Sequence, residues 1–87
     1  MTRILPLAAK AALAVGSGNA TTVDKATVVR ILSTAGAAVV VRTDSDDNII
    51  GSYTSVSGAA DLVEKNASDK IYVTGNAVEV SKVGFTN

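Results

Sequence analysis

The sequence predicts an all-β domain: a small antiparallel β-sandwich or flattened barrel of about seven strands, led by an extended N-terminal arm. Three observations carry this. Short β-branched runs alternate with turn clusters from residue 20 onward, as in sandwiches and barrels. The hydrophobic fraction is 47%, but it is built from Ala and Val rather than Leu, Phe and Trp. Small β-branched side chains suit a pleated sheet. No long helical period fits after residue 20.

The first 19 residues read as the arm and first strand, and residues 20–87 as one β domain. The segment MTRILPLAAKAALAVGSGNA has the outline of a signal peptide: Arg3, an apolar stretch from Ile4 to Val15, then small residues. Lys10 interrupts that stretch and Pro6 breaks it earlier, so the leader reading is set aside. The run is far short of the ~20 apolar residues a membrane span needs. An Ala-rich helix over 7–15 is the competing structure. The Gly16–Asn19 turn signal and the strands behind it favour extended chain, with Pro6 at an edge.

Strands are then expected near 20–24, 27–33, 37–44, 48–56, 61–65, 70–75 and 77–86. Turns fall at Gly16–Asn19, Ser33–Gly36, Ser45–Asp47, Ser57–Gly58, Asn66–Asp69 and Gly75–Asn76. Period two assigns the faces. Val29 and Ile31 oppose Val28, Arg30 and Leu32. Val39 and Val41 oppose Val40 and Arg42. Ile71 and Val73 oppose Lys70, Tyr72 and Thr74. In the last strand Val78 and Val80 are out of phase with Val83 and Phe85, which predicts a bulge or bend near Ser81 and Lys82.

Composition narrows the chemistry. The chain has 87 residues, one domain at most. It has no cysteine and no histidine, so disulfides, thiolate zinc sites and the commonest general base are absent. Eight basic and eight acidic residues balance. The basic ones are scattered singly, and Tyr53, Tyr72 and Phe85 are the only aromatics. A nucleic-acid binder would show a basic stripe with aromatics, so no nucleic acid is expected, nor a membrane.

The motif-like stretches have plain structural readings. Asp44, Asp46 and Asn48 match positions 1, 3 and 5 of a calcium loop, but position 6 is Ile49 and position 12 is Ser55. Glycine and a bidentate glutamate belong there. A hairpin turn is the reading, with no metal. Gly16-Ser17-Gly18-Asn19 lacks the lysine and helix of a phosphate loop. Asn66-Ala67-Ser68 fits a glycosylation acceptor but also an ordinary turn. Asp61, Glu64 and Asp69 are carboxylates that would pair in acid–base catalysis. They read instead as strand and turn residues, and the serines have no histidine to activate them. Neither catalytic residues, a cofactor nor an enzyme activity are expected.

Several short pieces together form a familiar order: Val29-Arg30-Ile31, Ile50-Gly51-Ser52-Tyr53-Thr54, Val63-Glu64-Lys65, Asp69-Lys70-Ile71 and Val83-Gly84-Phe85. Over residues 20–87 the chain resembles small virion proteins of tailed bacteriophages, especially phages of marine bacteria and cyanobacteria. The resemblance implies an all-β capsid-associated module, a head decoration or cement protein outside or between major capsid subunits. It transfers no catalytic residues.

On that reading the partner is the major capsid protein, with the chain as a homo-oligomer or symmetric array on the capsid surface of the virion. The arm, Thr2 to Val15, supplies the contact, through Ile4, Leu5, Leu7, Leu13 and Val15. A tail, fibre or neck subunit is the nearer alternative. A secreted adhesion or carbohydrate-binding module is the more distant one, with only Tyr53 and Tyr72 to stack on sugars.

Overall fold

The structure, a computed structural model, describes residues 3–86; Thr2 of the expected arm lies outside them. Eight strands form two antiparallel sheets, an all-β sandwich-like fold. They are β1 (Arg3–Pro6), β2 (Ala11–Leu13), β3 (Val28–Ser33), β4 (Ala38–Thr43), β5 (Ile49–Ser55), β6 (Ala60–Glu64), β7 (Lys70–Thr74) and β8 (Val78–Thr86). The five-stranded sheet runs β8, β3, β6, with β1 and β2 end to end along the far side of β8. The three-stranded sheet runs β5, β4, β7. Only β4 and β5 are a hairpin between sequence neighbours. The links after β3, β5, β6 and β7 cross from one sheet to the other.

The alternation that predicts the faces is what builds the core. Val29 and Ile31 of β3 are fully buried, as are Ile71 and Val73 of β7. They pack with Leu13, Ala26, Ala38, Val40, Val78 and Val80; Val23, Tyr53 and Val63 close the cluster. Apart from Leu13, Ile31 and Ile71, its buried members are all valines and alanines. At the connection from β3 to β4, Gly36 has φ 141, and a Cβ there would lie 2.7 Å from the Asn76 amide nitrogen. Asn76 Nδ2 donates to the Ala37 carbonyl at 2.9 Å, tying this link to the one between β7 and β8.

Three expectations are corrected. The segment expected as a strand at 20–24 keeps only an isolated bridge from Thr21 to Ile71 before a turn, and the arm contributes two strands. Val23, Asp24 and Lys25 have φ values of 52, 55 and 57, one turn of left-handed chain. The Thr21 hydroxyl accepts from the Val23 N–H at 3.0 Å and the Thr22 hydroxyl from the Lys25 N–H at 3.2 Å. Threonines that resemble a strand therefore serve as local caps. The turn sends Val23 and Ala26 inward.

Third, β8 has no bulge in its ladder with β3: pairing runs unbroken from Val29 opposite Lys82 to Ser33 opposite Val78. The irregularity lies on the other edge. Pro6 pairs with Val83 and Ala11 with Val80, so four residues, 7–10, span what two, Ser81 and Lys82, span in β8. Val83 is buried on the opposite face from Val80. The phase change in the sequence records which face is covered, not an inserted residue.

Left-handed backbone costs a non-glycine residue about 1–2 kcal/mol. Lys25 is exposed and its side chain makes no hydrogen bond or ion pair among the described residues. Lys25→Gly is therefore expected to stabilise the fold by ~0.5–1 kcal/mol, because the freedom glycine adds to the unfolded chain offsets part of the relief. A higher urea midpoint at unchanged slope checks it; a lower one contradicts the strain argument.

Candidate partner-binding surface

The five residues assigned to a partner fall in three places. Ile4, Leu5 and Leu7 form one group. β1 pairs with the last part of β8: Arg3 with Thr86, Ile4 with Phe85, Leu5 with Gly84 and Pro6 with Val83. The ladder between β3 and β8 ends at Lys82. Beyond that level the two strands form a ribbon with no neighbouring strand on either edge among the described residues. Side chains alternate along β1, so Leu5 lies on the face opposite Ile4 and Pro6.

The ribbon is thus apolar on both faces. Ile4, Leu5 and Leu7 keep 44–52% of their surface in water. The Leu7 N–H donates to the Lys82 carbonyl at 2.9 Å, and a Cβ at Gly84 would touch Leu7 Cδ1 at 3.4 Å. Lys10, next in the chain, reaches Glu79 at 3.0 Å, an exposed pair of small energetic weight.

Leu13 is the correction among the five. It is 4% exposed and belongs to the core, so a partner cannot reach it in this fold. Val15 stands apart from the ribbon, bridged to Val73 on the edge of β7. It is exposed, and its carbonyl accepts from Asn19 Nδ2 at 3.0 Å.

The acidic hairpin tip is a closed turn. Asp44 accepts from the backbone N–H groups of Asp46 and Asn48 at 2.9 Å each, and from Asn48 Nδ2 at 3.1 Å. The Asn48 bonds, its backbone N–H first, hold the carboxyl below the usual carboxylate range. Asp47, at φ 67, reaches Lys70 at 3.1 Å instead. Among the described residues no group of three or more acidic side chains is placed to hold a metal ion.

Asp61, Glu64 and Asp69 have different surroundings. Asp61 and Glu64 lie on opposite faces of β6. Asp69 sits in a network that the sequence reading misses. Asp69 Oδ2 accepts from Arg42 Nε at 3.0 Å and from the Asn66 N–H at 3.1 Å. Lys65 Nζ donates to the carbonyls of Asp69 at 2.9 Å and Asn66 at 3.2 Å. Both Lys65 and Asp69 are buried. Desolvation pulls the Lys65 ammonium below its ordinary range, against the Asp69 charge. The signal was available: Lys65, one residue past β6, continues the phase of Asp61 and Val63.

Tyr53 points into the sandwich, opposite Val40, and lines a cleft of about 160 Å³ with Arg42, Val63 and Ile71. Its hydroxyl is buried without a hydrogen-bond partner. Burial, then the nearby Asp61 charge, raises its pKa above the ordinary value. An inward Tyr53 cannot serve as a sugar-stacking platform.

No family model, curated protein or solved structure matches the chain.

Proposed function

We propose that the protein is a structural virion component, a decoration or cement subunit that binds the major capsid protein on the head of a tailed phage. The observation that carries this is the ribbon of β1 and the end of β8, apolar on both faces and with no neighbouring strand on either edge among the described residues. A two-stranded ribbon is marginal in water on its own. A neighbouring surface that covers it stabilises the bound form. Strand addition along a free edge, with Ile4, Leu5 and Leu7 in apolar pockets, is the binding mode this geometry suits. Repetition over a symmetric shell makes a modest energy per copy sufficient.

Purified particles provide the test. Roughly hundreds of copies per particle are expected, as a symmetric head lattice requires. About a dozen copies or fewer would assign the chain to tail or neck and overturn the head reading. Deleting the whole N-terminal segment is uninformative, because it removes Leu13 from the core. Leu5→Asp with Leu7→Asp leaves the core intact. Its binding to undecorated heads is expected to fall at least ~10-fold, about 1.4 kcal/mol. Full occupancy by this folded variant would exclude the ribbon as the contact.

A further inference from the structure

β5 closes the three-stranded sheet on one side, and no described strand lies along its outer edge. Sheet edges are normally protected by charge, proline, short length or a cover. β1 carries Arg3 and Pro6, and β6 carries Asp61 and Glu64. The free side of β7 is covered by chain bridged at Val15 and Thr21. β5 is seven residues long with neither charge nor proline. Around it Ile49 is 66% exposed, Ile50 49% and Val56 59%.

The order of residues selects the occupant. Apolar side chains stand at both ends, with Gly51, Ser52 and Thr54 between them. An antiparallel strand of the same sequence presents that order in reverse, apolar against apolar at each end. Neighbours across a ladder share a face, which restricts the register. Tyr53 and Ser55 pair with the inward Val40 and Ala38, so Ser52, Thr54 and Val56 point outward. A register shift between Arg42 and Thr43 leaves Ile50 as an extra residue and returns Ile49 to the outer face beside Thr43.

We propose that β5 pairs with β5 of a second copy about a two-fold axis at Tyr53, joining two three-stranded sheets into one of six strands. Gly51 then faces Ser55, Ser52 faces Thr54, and Ile49 and Ile50 of each copy meet Val56 of the other. Moving the axis to Ser52 sets Val56 against Asn48; moving it to Thr54 sets Ile50 against Gly58. Only the Tyr53 register joins apolar ends and keeps the faces. It also places the acidic tip beside the uncharged Ser57–Gly58 turn.

This interface is independent of the virion reading and is tested on the isolated full-length chain. Sedimentation is expected to show twice the 8.8 kDa mass. Ile49→Lys with Val56→Lys is expected to weaken association at least ~100-fold, about 2.7 kcal/mol, and Thr54→Lys, outward in the ladder, to weaken it too. The native chain has no cysteine, so Ile49→Cys with Val56→Cys gives a clean crosslink. Within one chain those positions are roughly 20 Å apart along the strand, beyond the ~7 Å reach of a disulfide. Oxidation should therefore yield a reducible dimer. A single mass at every concentration, or a ladder of larger sizes, overturns the proposal. So does a dimer that survives the lysines but is dissolved by Leu5→Asp, which would place the contact on the ribbon.

Discussion

Asp69→Ala is expected to destabilise the fold by about 3–5 kcal/mol, the range for removing one partner of a buried charge pair. The carboxylate is 5% exposed and holds both Arg42 and the Asn66 backbone. Without it, Lys65 remains buried, with only two carbonyls to meet its charge. Arg42 is about one-third exposed and can turn part of its guanidinium to water, so Lys65 dominates the loss. Asp69→Asn, which keeps an acceptor for the Asn66 N–H, should cost less, ~1–3 kcal/mol.

The pH dependence has a defined sign. The folded pKa of Lys65 lies below the ordinary lysine value of 10.5. Charging it in the fold is a penalty that is complete at low pH. The penalty is relieved as pH rises through the folded pKa and is gone above 10.5. Losing Asp69 removes the charge that opposes this shift. The Asp69→Ala variant should therefore regain more stability between neutral pH and pH 10 than the parent does. Urea melts at several pH values measure this; a parallel offset at all pH values would remove Lys65 from the explanation.

The parts of the fold legible in the sequence are those where local pattern and tertiary burial agree. Val-Val-Arg-Ile-Leu and Lys-Ile-Tyr-Val alternate as half-buried strands must, and they became β3 and β7 with the expected residues inside. The Asp44–Asn48 turn was legible for the same reason: its bonds are local, and short polar side chains make them with their own backbone. Thr21-Thr22-Val23 misled because β-branched residues favour strands only where a neighbouring strand receives them, and β7 receives Thr21 alone, at Ile71. Here the threonine hydroxyls bond the backbone of a left-handed turn instead.

The apolar ribbon was partly legible. Apolar residues in an N-terminal segment advertise burial, but sequence does not say where. Ile4, Leu5 and Leu7 lie beyond the end of the β3 ladder, whereas Leu13, paired with Val78, lies over the core. Only the offset between β1 and β2 on β8 separates those fates. The exposed ends of β5 were hidden differently. Ile49 and Val56 look like core residues until the bulge at Ile50 and the edge position of the strand are known.

Ile31→Ala is the second large effect, expected to cost about 2–5 kcal/mol. Ile31 sits at the centre of the five-stranded sheet, between Asp61 of β6 and Val80 of β8, with no exposed surface. The residues packed with it are mostly valine and alanine. Short branched side chains cannot extend into the space that a lost sec-butyl group leaves, so the cavity persists and the cost falls in the upper half of that range. A small domain holds only ~5–15 kcal/mol in all, so this one truncation consumes a large share. Ile31→Val removes a single methylene and should cost ~0.5–1.5 kcal/mol. Urea unfolding should show both midpoints lowered in that order with the slope unchanged. Equal costs for the two variants would mean that the core relaxes around the gap, and that the thin valine–alanine packing is softer than its burial indicates.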